Sequence, residues 1–396
     1  MIHNLETNKQ TNKVLLVTYH KGFNYGTMLQ AFAMKILLKE CKFDPVIIYH
    51  KDGIIKGRDV TFSKLFIMAF RFLCHPIAYK KTINAFVKLY SLDVSENTKQ
   101  KFLNFQKEFD VQKMSFSKMK KLSKKQEIKA CVCGSDQIWK TDLLYVSPYY
   151  FLRFAPKNKR VSYAPSFGQT FVPSYNQKKF KKYINDFNFL SVREKSGVEL
   201  IKKLTGRSSV CVLDPTLAIP TLKWLEIIKE KNIEYSEDFI LLYFLDIPTQ
   251  KTIDFIKKVQ KENLLKVKAI LYNFNEYNSL LDFEFIAAGP FEFLSLVKNA
   301  KIVFTDSFHA TAFSTQFHTP FVSMNRNHGK NILSQQTRQK DFLNFVQLEN
   351  RFENDDFSKI EDKLFDCDFS ISDKILENAR KESIEYLRNA IEGCSK

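Results

Sequence analysis

The chain has 396 residues, room for about two domains at roughly 100–200 residues each. Its 38 Phe and 16 Tyr need a core, which excludes a disordered chain, and 11 Gly with 11 Pro exclude a collagen-like or low-complexity one. The net charge of +18 excludes no fold, but it predicts attraction to something anionic.

The first element, Lys13–Tyr19, is an apolar, β-branched strand. A loop with Gly22 and Gly26 follows. Met28, Leu29, Phe32, Ile36 and Leu37 then give helical spacing over Thr27–Glu40, and Asp44–Tyr49 is the next strand. This strand, helix, strand order with apolar strands predicts a parallel sheet. Residues 56–130 change character: helical runs dominate, and 17 Lys/Arg stand against 6 Asp/Glu, so most of the surplus charge lies here. Phe102, Phe105 and Phe109 fall on one helical face.

Strand signals return at Ala130–Cys133, Val161–Ala164, Phe189–Val192 and Val210–Leu213, and Pro215 and Pro220 flank a linker. A second set follows: Phe239–Leu245, Val267–Tyr272, Phe283–Ala288, Ile302–Thr305 and Pro320–Met324, with Phe291–Ala300 as one intervening helix. The tail is acidic, and Ile375, Leu376, Ala379, Ser383, Leu387, Ala390 and Ile391 form a helical stripe. The expected architecture is α/β, with an N-terminal Rossmann-like domain over 1–220 carrying the basic helical insertion. A C-terminal Rossmann-like domain over 221–340 and a helical tail over 341–396 complete it. Ligands in such sheets bind beyond the carboxyl ends of strands, here in the cleft between domains.

The N-terminus is polar and lacks an apolar signal-peptide core, and the longest apolar run of the basic middle, Leu65–Phe70, is too short to span a bilayer. The seven cysteines have no framework spacing, and Cys131-Val-Cys133 reads as alternating strand positions. A cytoplasmic protein without a metal site is expected. Lys outnumbers Arg by 50 to 11, which argues against base readout and so against nucleic acid.

Several segments at strand ends carry chemistry. Thr305-Asp-Ser-Phe-His-Ala-Thr311 runs from a strand end into a helix start, where backbone N–H groups and the helix dipole favour an anion, and His309 is placed to supply a proton. Asp306 or Ser307 would equally serve as the helix cap. Arg193, in Ser191-Val-Arg-Glu194, suits a carboxylate or phosphate, or else pairs with a nearby acid. Gly134-Ser-Asp-Gln-Ile-Trp139 combines close backbone approach at Gly134 with sugar-binding candidates Asp136 and Gln137 and a stacking face in Trp139; a tight turn with a core Trp is the alternative. Asn24 in Gly22-Phe-Asn-Tyr-Gly26 lines a pocket or caps a helix, and Asp214 in Leu213-Asp-Pro215 reads first as a cap. No phosphate-loop, dinucleotide, zincin or hydrolase-elbow motif is present.

Taken in order, Asn24-Tyr-Gly26 with Leu29-Gln-Ala31, Gly134–Trp139, Ser191–Glu194, Leu213–Pro215 and Thr305–Thr311 resemble the polysaccharide pyruvyl transferase family, from about Lys13 to Asn325 without the basic insertion. The resemblance implies a fold like the GT-B glycosyltransferases. It implies transfer of pyruvate from phosphoenolpyruvate to two hydroxyls of a sugar, giving a cyclic ketal without a cofactor beyond the donor. The matching positions imply donor roles for Arg193, His309 and Phe308; the chemistry also calls for an acceptor-side carboxylate as base, for which Asp136 is the first choice and Asp306 the second. Asn24, Tyr25, Gly26, Gly134, Ser135, Gln137, Asp306, Ser307, Phe308 and Thr311 are the expected substrate-binding set. The acceptor is expected to be a bacterial surface glycan or its lipid-linked precursor, with peripheral contact to an anionic membrane surface through the insertion. A nucleotide-sugar glycosyltransferase of the same fold is the enzymatic alternative, and a basic nucleic-acid- or membrane-binding protein the other.

Overall fold

A computed structural model describes residues 12–50, 62–77, 80, 94–325 and 336–394; the rest of the basic insertion, 56–61, 78–79 and 81–93, lies outside them. The first half runs β1 (Lys13–Val17), α1 (Tyr25–Glu40), β2 (Asp44–His50), α2 (Phe62–Cys74), α3 (Glu96–Phe105), β3 (Val111–Met114), α4 (Phe116–Ser123), β4 (Ile128–Cys133), β5 (Arg160–Ser162), α5 (Ser174–Asn185), β6 (Ser191–Val192), α6 (Lys195–Thr205) and β7 (Val210–Cys211). A short helix, α7 (Pro215–Ala218), leads into the second half. That half holds α8 (Thr221–Lys231), β8 (Phe239–Tyr243), α9 (Gln250–Asn263), β9 (Lys266–Ile270), β10 (Phe283–Ile286), α10 (Pro290–Asn299), β11 (Ile302–Thr305), α11 (Phe308–Phe317) and β12 (Phe321–Met324). Then come α12 (Gln336–Phe345), β13 (Phe352–Glu353) and the long α13 (Ser370–Gly393).

Every strand pairing among the described residues is parallel. The first sheet has the order β3-β2-β1-β4-β5, and the second β10-β9-β8-β11-β12-β13. Counted from its own first strand, the second sheet is the doubly wound 3-2-1-4-5-6, and the first is its five-stranded equivalent. In both, the chain reverses direction between the first and fourth strands, so a crevice opens at the carboxyl ends of β1/β4 and of β8/β11.

The alternation of β1 shows how the core is divided. Val14 and Leu16 face a core shared with α1, the second half and α13, whereas Leu15 and Val17 face a second core with Cys131, Cys133, Trp139 and Phe151. Cys131 and Cys133 are two residues apart on β4 and enter the same core, free and buried, with burial pushing both thiols up.

Two expectations need correction. The basic insertion is not wholly helical, because β3 lies within it and pairs with β2 at the sheet edge. Its Val-Gln-Lys-Met sequence is half-exposed and short, too polar to stand out as a strand. The stretch after 340 is likewise not only a tail: α12 starts before it, and β13 completes the second sheet beside β12. The final helix α13 crosses both halves. Tyr386 Oη donates to Ser162 O (3.1 Å), and Arg380 donates to Leu217 O (2.8 Å) and to Gln316 Oε1 (3.0 Å).

Candidate active site

The two crevices face each other and form one cleft of about 200 Å³. Its lining comes from four strand ends, two of them with the helix starts that follow, and from α12: Tyr19 and Asn24 after β1 with Thr27 of α1, Asp136 and Gln137 after β4, Leu245 after β8, Asp306 and Ser307 after β11 with Phe308 and His309 of α11, and Arg338 and Gln339 of α12. The site therefore stands where parallel-sheet topology places ligands, and both sheets contribute.

At the start of α11, Ser307 is the N-cap residue but makes no side-chain cap bond, so the N–H groups of the first turn remain directed at the cleft. Asp306 does not cap this helix either: its carboxylate accepts from the backbone N–H groups of Leu245 (2.7 Å) and Asp246 (2.9 Å), fastening the β8 loop to β11. An open helix N-terminus attracts negative charge. Arg338 reinforces it from α12: with its amide oxygen facing the guanidinium, Gln137 accepts from Arg338 Nε (3.2 Å) and Nη2 (3.0 Å). On the opposite wall Asp136 Oδ2 accepts from Thr27 Oγ1 (2.8 Å), and Asn24 Oδ1 caps α1 through Thr27 N (3.0 Å).

His309 leans across to the first half. A Cβ at Gly26 would lie 1.9 Å from His309 Nδ1, so only glycine leaves room for the ring against the first turn of α1. Behind it lies a buried ionic cluster centred on Asp214. Asp214 Oδ1 accepts from Thr216 N (3.0 Å) and Oγ1 (2.8 Å), which is the cap read in the sequence. Its Oδ2 accepts from Arg193 Nη1 (2.8 Å) and Ser135 Oγ (2.9 Å), and stands 3.8 Å from His309 Nε2, an ion-pair distance too long for a hydrogen bond. Burial alone would raise the Asp214 pKa, but the adjacent His309 and the Arg193 guanidinium outweigh it and hold the carboxyl well below the usual range. Burial likewise pushes the neighbouring Glu194 up, against the pull of Arg193 3.8 Å away.

The expected set thus divides. Asn24, Asp136, Gln137, Asp306, Ser307, Phe308 and His309 line the cleft. Arg193, Tyr25, Gly26, Gly134, Ser135 and Thr311 do not, and each has a constructional reason. Arg193 is buried in its ion pair with its guanidinium 4.6 Å from the centre of the Phe308 ring, while Nε and Nη2 carry no hydrogen bond. Tyr25 is buried, stacks on Phe293 (4.7 Å) and donates to Ala288 O (3.0 Å), tying α1 to the second half. Gly134 has φ +130°, and a Cβ there would lie 1.8 Å from Tyr163 O. Ser135 supports Asp214, and Thr311 Oγ1 is spent on Ser307 O and Ser323 Oγ. Trp139 is no stacking face for a sugar: it is wholly buried against Phe151.

Sequence reasoning missed Arg338 and Gln339, which lie in a polar stretch without a motif; the one available signal was the scarcity of arginine. It also missed Tyr19, Thr27 and Leu245, which flank the strand ends it did identify. Among the described residues no group of three or more His, Cys, Asp or Glu could hold a metal ion.

Two facing doubly wound sheets with the site between them define a GT-B arrangement. UDP-GlcNAc 2-epimerase from Methanocaldococcus jannaschii is similar at 12% identity and a TM-score of 0.52, covering 92% of this chain and 98% of that one. UDP-GlcNAc 2-epimerase from Neisseria meningitidis (9% identity, TM-score 0.47, 95% and 99% covered) and MurG from Acinetobacter baumannii (8%, 0.43, 96% and 98%) also match. No curated protein matches the sequence. The family model for polysaccharide pyruvyl transferase matches residues 24–328, and the chain belongs to that family. It is therefore a transferase of polysaccharide biosynthesis.

Proposed function

We infer that this enzyme transfers pyruvate from phosphoenolpyruvate onto two hydroxyls of one sugar, in a bacterial surface polysaccharide or its lipid-linked precursor, and closes a cyclic ketal. The observation that carries this reading is the open N-terminus of α11, with Phe308, His309 and Arg338 around it and the Asp136 carboxylate facing it across the cleft. A small donor bearing a phosphate and a carboxylate needs such an array of N–H groups and guanidinium; an acceptor hydroxyl needs a carboxylate on the other side.

His309 gives a proton to the terminal carbon of the enol, which makes the central carbon electrophilic. The first sugar hydroxyl adds there and loses its proton to Asp136. The bond from that carbon to the phosphate oxygen breaks, phosphate departs, and the second hydroxyl adds, its proton returning to the imidazole of His309 that gave one up. Asp136 serves better as base than Asp306, whose two oxygens already fasten the β8 loop. Asp214, fixed by Arg193, holds the histidine from behind. The two unmet N–H groups of Arg193 are the donors left to take the substrate carboxylate once it reaches past Phe308.

The test is incubation of the purified chain with phosphoenolpyruvate and galactoside-type acceptors, followed by mass spectrometry and phosphate release. Acceptor-dependent phosphate release with a ketal product is expected, and His309→Ala should abolish it. Release without a product, or product formation from a UDP-sugar instead, would overturn the reading.

A further inference from the structure

Helix α2 and the residues just past it sit on the protein with their apolar side turned outward. Lys64, Ile67, Met68, Arg71 and His75 recur at helical spacing and are half-buried. This stripe is the seat. Arg71 donates to Leu144 O (2.8 Å), Asn176 Oδ1 (2.6 Å) and Tyr175 O (3.0 Å). Lys64 stands over the Tyr145 ring (5.6 Å), and the His75 ring lies 4.8 Å from that of Tyr175. The opposite stripe is Phe66, Phe70 and Leu73, continued one turn on by Ile77. These are 74%, 61%, 77% and 76% exposed. A surface helix ordinarily buries its apolar stripe and hydrates its charges, and this one is inverted.

The surroundings are basic. Helix α5, whose Tyr175 and Asn176 hold Arg71, contains Lys178, Lys179, Lys181 and Lys182 and no acidic residue. Lys178, Lys181 and Lys182 are exposed, and Lys179 shares the Tyr145 ring with Lys64 at 5.7 Å. A second copy of the chain docked symmetrically on this face would bring two such lysine clusters together, which like-charge repulsion opposes. An anionic surface with an apolar interior satisfies both the stripe and the lysines.

We propose that α2 is a membrane-docking helix: Phe66, Phe70, Leu73 and Ile77 enter the acyl boundary of an anionic phospholipid bilayer while the lysines of α5 meet its headgroups. This narrows the contact expected of the insertion, where charge alone had placed it, to an apolar stripe seated by Arg71. The seat is continuous with the loop after β4. Leu144 belongs to the segment that starts at Asp136 and Gln137 in the cleft, and Gln169 Nε2 donates to Asp142 Oδ2 (2.8 Å) beside the same loop. Docking through α2 therefore holds the acceptor side of the cleft near the bilayer.

The experiment is co-sedimentation of the full chain with vesicles of phosphatidylcholine alone and of phosphatidylcholine mixed with phosphatidylglycerol. It compares wild type with a Phe66→Ser/Phe70→Ser/Leu73→Ser variant and a Lys178→Glu/Lys181→Glu/Lys182→Glu variant. Binding only to the phosphatidylglycerol vesicles is expected, weakened about tenfold or more in each variant, with unchanged melting temperature. A Phe66→Trp reporter should shift its emission to the blue on the same vesicles. Absence of wild-type binding, equal binding by the serine variant, or a dimer in solution that the serine variant dissociates would each overturn the proposal. None of these readouts depends on phosphoenolpyruvate, so failure of the docking and failure of the pyruvyl-transfer reading are told apart.

Discussion

Asp214 joins three groups that the chain keeps apart to its near neighbour Thr216: Ser135 is 79 residues upstream, Arg193 is 21, and His309 reaches it from the other half. Because the folded carboxyl lies below its ordinary value, folding favours the ionised form. Its contribution to stability is complete above the unfolded pKa of about 3.9 and is lost as the pH falls below it. Asp214→Asn cannot titrate. The stability gap between wild type and this variant should be widest near neutrality and shrink below about pH 4, as read by urea unfolding across pH. A gap that stays constant on acidification would refute this account. Arg193→Ala leaves Asp214 and Glu194 buried without their cation and should cost about 3–5 kcal/mol. Its effect on transfer must accordingly be read beside its melting temperature, whereas His309→Ala leaves Arg193 in place between the two carboxylates and should cost less. From the sequence, Asp214 was legible only as a cap, because the Oδ1 bonds are local; the Oδ2 bonds to Ser135 and Arg193 exist only once the first half has folded, and the approach of His309 only once the second has as well.

At the scale of elements, the central strands β1, β4, β8, β11 and β12 were plain in the sequence because each is buried along nearly its whole length, and the loops that follow β1, β4 and β11 carried motifs. β3 and β13 were not plain, since both are edge strands, short or half-exposed. α12 was hidden for another reason: its contribution to the cleft is two polar side chains, Arg338 and Gln339, on a helix with no motif of its own. The fit between α1 and α11 gives a sharp prediction. Gly26 has helical backbone, so Gly26→Ala is conformationally easy and by propensity mildly stabilising. The new methyl nonetheless needs the space of the His309 ring. Transfer should fall by about 10²-fold, as expected for a displacement of about 1 Å in a catalytic group, while the melting temperature holds. Full activity in this variant would remove His309 from the reaction geometry described above.

On the scale of the molecule, the larger hydrophobic core does not respect the boundary between the halves: it runs from Val14 and Tyr25 through Trp224 and Phe293 to Leu387 and Ile391. Tyr25, Arg380 and Tyr386 add hydrogen bonds across the same boundary. Calorimetry should therefore show a single unfolding transition in place of one for each half. Two separated peaks would mean that the shared core contributes little to cooperativity.

The contact between His309 and Gly26 also bears on how such enzymes diversify. The histidine is encoded in the second half but is seated on the first, with the neighbouring carboxylate of Asp214 on the segment that joins them. Exchanging halves between related enzymes, a direct route to a new pairing of donor and acceptor, would part the ring from its seat unless the recipient offered a glycine at that turn. Recombination at this boundary is thus constrained by one missing methyl group.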